Sequence, residues 1–297
     1  MLSPVVLLTF GQPFHHARMK PSRLVVCTVA LCALVGGAAG SAAAQTAYPP
    51  ASVGPSLNPC TRASLRLRCP DLVMSAPAHL EMDRSTQPGH VLLRAASSIN
   101  NHGAGPLELI GHRRGSVMRV SQAIRDARGR RHLFATRAVL VFKHVPGDRY
   151  GGAGVGAYNY WKFRYAAGFS LWSVDATLRA MRRVRVGPKH EYCFRDLFRT
   201  QPSGRAPKSA VYPACRTDGS LRQDTLGTSV GWSDVYPYQY PQQWIDVTGL
   251  RGRFAYVQTA DPRRLLNESR VSNNKSETYI ALPSGRVLGH RTAVSSP

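Results

Sequence analysis

Long apolar runs, acidic side chains, lysine and recognisable catalytic motifs are all scarce in this chain. No apolar stretch reaches the ~20 residues that a helix needs to cross a bilayer. Only 16 Asp and Glu stand against 39 Lys and Arg, for a net charge of +23, and only six of the basic residues are Lys. No G-x-S-x-G, phosphate-binding Gly-rich loop, H-E-x-x-H or Cys/His ladder is present. Serine hydrolases, P-loop enzymes and zincins therefore have no local signature here. The ten His are scattered, and only His15 and His16 are neighbours. A His-built metal site would have to be assembled from distant segments. What the 297 residues do have is 43% hydrophobic side chains, enough to bury a core and to exclude global disorder.

The N-terminus carries an export signal. Met19-Lys20-Pro21-Ser22-Arg23 is a basic start, Leu24 to Val35 is apolar, and small residues follow to Ala42-Ala43-Ala44. A basic region, a short apolar region and an Ala-x-Ala end are the three parts of a secretory signal peptide. Residues 1–44 are expected to be removed, with Met19 an alternative start. Cys32 lacks the preceding small residue of a lipoprotein signal, so no lipid anchor is expected. Cleavage after Ala44 leaves 253 residues, and the loss of Arg18, Lys20 and Arg23 takes the charge from +23 to +20. The expected location is extracellular or in the cell envelope.

Four cysteines survive the leader: Cys60, Cys69, Cys193 and Cys215. In an oxidising compartment they imply two disulfides, with three pairings open. Proximity favours Cys60–Cys69 and Cys193–Cys215. A zinc site would use the same four, but no Cys-x-x-Cys pair supports it.

Residues 45–59 are rich in Pro, Ser and Gly and read as a flexible linker. Residues 60–290 form the expected domain, with 291–297 as a tail. Apolar and β-branched segments at 91–96, 107–110, 117–120, 133–142, 169–174, 244–248, 254–257 and 278–282 read as strands between turn-forming residues. Little helical periodicity appears. The expectation is a mostly β, single-domain antiparallel β-sandwich with two long loops, 143–167 and 198–243. Arg clusters at 113–114, 128–131, 179–185 and 263–264 suit anionic cell-envelope polymers. Stacking aromatics accompany them only at Trp161, Phe163 and Tyr165, so no specific nucleic-acid partner is expected.

Five collinear segments resemble the lysyl oxidase family in its bacterial form. They are Pro70-Asp71-Leu72; Leu92-Leu93-Arg94 with Ile99 to Leu109; Lys189-His190-Glu191-Tyr192-Cys193-Phe194-Arg195-Asp196; Gly231 to Tyr236 with Gln243 to Leu250; and Glu268 to Asn274. The resemblance spans about residues 69–282 and implies the lysyl oxidase-type sandwich. It also implies copper- and quinone-dependent oxidative deamination of primary amines, including peptidyl lysine, to aldehydes with release of H2O2. Lys189 and Tyr236 occupy the positions that crosslink into lysine tyrosylquinone. A tyrosine oxidised to a quinone offers a carbonyl to an amine, and the cofactor then carries the electrons.

The copper motif of the family, His-x-His-x-His, corresponds to Tyr158, Tyr160 and Lys162. A phenol must lose a proton of pKa ~10 before it ligates well, and an ammonium has only donors. The substitutions remove the expected copper set and suggest a pseudoenzyme, with His144 upstream and His190 beside Lys189 as imidazoles from unmatched positions. The resemblance further places a calcium ion at Asp71, the Leu72 carbonyl, Glu268, Asn273 and Asn274, oxygen donors that suit a hard cation. Arg270 stands there where the family is acidic. Two readings follow: the family's amine oxidation, or a non-catalytic secreted relative that binds anionic wall or surface polymers.

Overall fold

The computed structural model describes residues 58–145, 158–201 and 204–292. The signal-peptide region, the linker up to residue 57 and residues 293–297 of the tail lie outside the described residues. Those that are described fall within the single unit Gln45–Pro297.

Seventeen strands, all paired antiparallel, form three sheets among the described residues. The first contains β1 (Leu67–Arg68), β5 (Leu107–Arg114), β6 (Val117–Asp126), β7 (Arg131–Val145), β8 (Tyr158–Phe163) and β12 (Gln223–Thr228), in the order β12-β5-β6-β7-β8 with β1 on β6. The second is built on β4 (Leu92–Asn101), which pairs with β2 (Leu72–Met74), β3 (Ala78–Asp83), β13 (Trp232–Tyr236) and β14 (Trp244–Asp246); β11 (Phe198–Arg199) lies beyond β13. The third has the order β10 (Ala180–Val186), β9 (Ala167–Val174), β15 (Gly252–Ala260), β16 (Lys275–Leu282) and β17 (Arg286–Arg291). One apolar cluster joins them, with Leu109, Leu140 and Trp161 from the first sheet, Leu93 and Ile99 from the second, and Leu171, Tyr256 and Ile280 from the third. This is the expected β-sandwich class.

The long loops are shorter than expected. Residues 143–167 contain the end of β7 and all of β8, and residues 198–243 contain β11, β12 and β13. β12 and β13 escape notice because Gln-Asp-Thr and Ser-Asp dipeptides hide a buried face: β13 is buried at four of its five residues. Cys60–Cys69 and Cys193–Cys215 are the disulfides formed.

Two local features fix the segments that matter. Asn101, at the end of β4, donates to Gly105 O (3.0 Å) and Thr228 O (2.9 Å) and accepts from Asp71 N–H and Gly103 N–H. That one amide ties the Pro70-Asp71-Leu72 segment to the Asn-Asn-His-Gly turn. A Cβ on Gly103 would sit 2.4 Å from Cys69 O and 2.5 Å from Asp71 N, so the turn requires glycine for space.

Candidate functional site

Three segments converge on Lys189. Its own segment crosses close over β14: a Cβ on Gly187 would lie 2.7 Å from Trp244 O, so the chain passes there only as glycine. Three residues beyond Lys189, Tyr192 and Phe163 exchange backbone hydrogen bonds, which fastens the segment to the end of β8. β13 lies against β4 with Tyr236 opposite Ser97. The Ser97 hydroxyl bonds the Tyr192 hydroxyl at 2.6 Å and accepts from Gln243 at 2.9 Å. Tyr240 follows β13 on a turn held by Arg94, whose guanidinium donates to Tyr238 O and Tyr240 O and is ion-paired with Asp83 at 2.8 Å.

The result is a buried amine in a tyrosine cage. Lys189 Nζ lies 4.1 Å from the centre of the Tyr236 ring, 4.3 Å from that of Tyr240 and 4.5 Å from that of Tyr192. The nitrogen donates to Glu191 O at 3.1 Å. Tyr236 in turn accepts at its hydroxyl from Cys193 N–H at 3.2 Å, next to the disulfide. Burial, aided by the nearby charge of Lys162, pushes the Lys189 amine well below the usual lysine range, although Asp234 and Glu191 work the other way. The lysine and the tyrosine singled out from the sequence are thus neighbours, 47 positions apart in the chain.

The strand corresponding to the histidine motif borders this cage. Tyr160 and Lys162 are both buried. The Tyr160 hydroxyl is hydrogen-bonded to that of Tyr240. Lys162 Nζ sits 4.6 Å from the centre of the Tyr160 ring and 5.9 Å from that of Tyr240, so both lysine nitrogens lie near the Tyr240 ring. Burial brings Lys162 down to about 8, with Glu191 offsetting and Lys143 reinforcing the fall. Tyr158 opens β8, opposite Val145. A divalent copper ion does not fit this donor set: one position offers an ammonium and another a phenol already committed to a second phenol. Of the two imidazoles noted in the sequence, exposed His144 is bonded to Asn159, and the two nitrogens of His190 face Pro188 O (2.8 Å) and Glu191 (3.1 Å). Among the described residues no group of three or more His, Cys, Asp and Glu is poised to hold a metal.

Oxygen-rich contacts gather at the residues where the resemblance implies calcium. Glu268 is fully buried, accepting from Leu72 N–H at 2.7 Å and from the Asn274 amide at 2.9 Å. The Asn273 amide donates to Asp71 at 2.8 Å. The side-chain oxygens of Asn273 and Asn274 are buried without a partner. Burial, with the nearby charge of Asp261, pushes Glu268 well above the usual carboxylate range. Orphaned amide oxygens beside two carboxylates fit a hard cation. Arg270 is exposed.

Several residues around the lysine were not singled out in the sequence: Asp234, Tyr240, Tyr192, Glu191 and Ser97. Asp234 lies two positions before Tyr236 and so on its face of β13, but the strand itself was not readable in the sequence. The fold and site define an antiparallel β protein, stapled by two disulfides, that closes a lysine amine against a tyrosine ring. The lysyl oxidase family model matches residues 163–290, a stretch holding Lys189, Tyr236, Glu268 and both Cys193 and Cys215 but beginning just after Lys162. Residues 163–290 are thus similar to the lysyl oxidase family, whose general chemistry is oxidative deamination of amines with copper and lysine tyrosylquinone. No curated protein matches the sequence.

Proposed function

We propose that this chain is an exported lysyl oxidase-type protein that retains the lysine–tyrosine half of the family site without the copper half. Lys189 and Tyr236 are the precursor pair of the quinone, and Tyr158, Tyr160 and Lys162 stand in the copper positions. Asp71, Leu72, Glu268, Asn273 and Asn274 form a calcium site of structural character. The observation that carries the reading is the buried Lys162 ammonium beside Tyr160, a positive charge at a position that the resemblance assigns to a copper ligand. Without metal-assisted oxidation of Tyr236 the protein does not turn over amines. Its role is attachment to anionic cell-envelope polymers. In support, Arg182 and Arg183 are exposed on the edge strand β10 with no carboxylate partner among the described residues, whereas Arg130 and Arg131 pair with Asp126 and Glu108.

A second reading, amine oxidation of primary amines or peptidyl lysine, is favoured by one observation: the 4.1 Å approach of Lys189 to the Tyr236 ring. The two separate on metal content and product. The exported protein, equilibrated with copper and dialysed, is expected to retain no stoichiometric copper and to release no hydrogen peroxide with a primary alkylamine. Copper retention together with amine-dependent peroxide would establish the oxidase and overturn the proposal.

A further inference from the structure

Asp234 is the most anomalous polar group in the described core. It is fully buried, and neither carboxylate oxygen has a hydrogen-bond partner. Buried carboxylates normally accept two or more hydrogen bonds, and one left without any calls for a proton, an ion or a ligand. Its position is not arbitrary. Alternate residues of β13 share a face, so Asp234 and Tyr236 project to the same side while Ser233 turns away to bond Asn100 at 2.5 Å. That side is the one closed by the tyrosine cage of Lys189.

We propose that Asp234 is the acid–base partner of Lys189, its carboxyl carrying the proton and leaving the lysine as a neutral, nucleophilic amine against the Tyr236 ring. The inference rests on the reading of Lys189 and Tyr236 as the site pair. The exchange is balanced: one N–H bond of the ammonium is given up, one O–H bond forms on the carboxyl, and the pair stays neutral overall. No ion pair joins the two groups, so the Coulomb energy that would hold both charges in a dry interior is not collected at contact distance. Burial drives Asp234 well above the usual carboxylate range against the opposing charges of Arg195 and Lys189, with Asp196 adding to the rise. The same burial lowers Lys189, with Lys162 helping and Asp234 and Glu191 opposing. Tyr160, Tyr192 and Tyr240 face the carboxylate as well, and their raised phenols remain neutral. A protonated Asp234 beside a neutral amine satisfies both desolvation costs at once. Asp234 acts through Lys189 and is therefore a positioning residue, one that keeps the lysine amine neutral against the Tyr236 ring.

Infrared spectroscopy of the full exported protein at pH 7 tests this. A carbonyl-stretch component of a protonated carboxylic acid should be present, lost in Asp234→Asn, and distinct from any component lost in Asp261→Asn or Glu268→Gln. It should be unchanged in Lys189→Met, which guards against failure of the aspartate variant to fold. The proposal is overturned if the wild type lacks this band and Lys189→Met gains it, because the aspartate and lysine are then an ion pair. The readout needs neither copper nor amine turnover, so it stands or falls apart from the oxidase question.

Discussion

Lys162 illustrates how one side chain can redirect a site. Its ammonium lies between Tyr160 and Tyr240, near Glu191 and within electrostatic reach of Lys189. Replacing Tyr158, Tyr160 and Lys162 together by His is expected to create a copper site of about one ion per chain, read by elemental analysis; unchanged, negligible copper would show that the strand is not a ligand platform. Glu191 gives a pH prediction. Burial opposes its ionisation, but the hydrogen bond and charge of His190 and the charge of Lys143 hold it down at about 2 against an ordinary 4.5. A depressed carboxylate stabilises the fold above its unfolded pKa and loses that contribution as pH falls. Between pH 5 and 2 Glu191→Gln should therefore remove up to ~3 kcal/mol of pH dependence from the unfolding free energy, measured by denaturant melts. At this scale the sequence exposed Lys189 and Tyr236 through motif context. Asp234 and Tyr240 stayed hidden, because their role depends on which residues burial places around the amine.

At the scale of the elements, β4 is the organiser. It is hydrogen-bonded along its length to β2, β3, β13 and β14, so it sets Tyr236 opposite Ser97 and Trp244 opposite Arg94. Its apolar run was legible because Leu92, Leu93, Ala95 and Ile99 are core residues. β10 was not legible, being an arginine-rich edge whose exposed residues outnumber any buried face. β8 falls within the expected loop 143–167, because its pairing with β7 and its bridge to Tyr192 depend on contacts far apart in sequence. The turn after β4 gives the element-scale prediction. Gly103→Ala forces a Cβ to within 2.5 Å of three backbone atoms of the Cys69–Asp71 segment. A loss of about 2–4 kcal/mol is expected, a Tm drop of roughly 5–15 °C by calorimetry. A wild-type Tm would mean that the opening segment is not anchored there.

For the molecule as a whole, charge and covalent stapling set the working environment. A net charge of +23 with two short-loop disulfides suits an oxidising, polyanion-rich location. Binding to an acidic polymer, with polyphosphate as probe, is expected to weaken at least about tenfold between 50 and 300 mM salt, since exposed charges are screened beyond ~10 Å at 0.1 M. Arg182→Ala with Arg183→Ala should weaken it at low salt; salt-independent binding would place recognition elsewhere. The most direct measurement of the central claim is the intact mass and peptide map of the exported protein after incubation with copper and oxygen. Separate Lys189 and Tyr236 peptides, two disulfides and no retained copper are expected. A single peptide joining Lys189 to Tyr236, formed with copper bound, would contradict that claim.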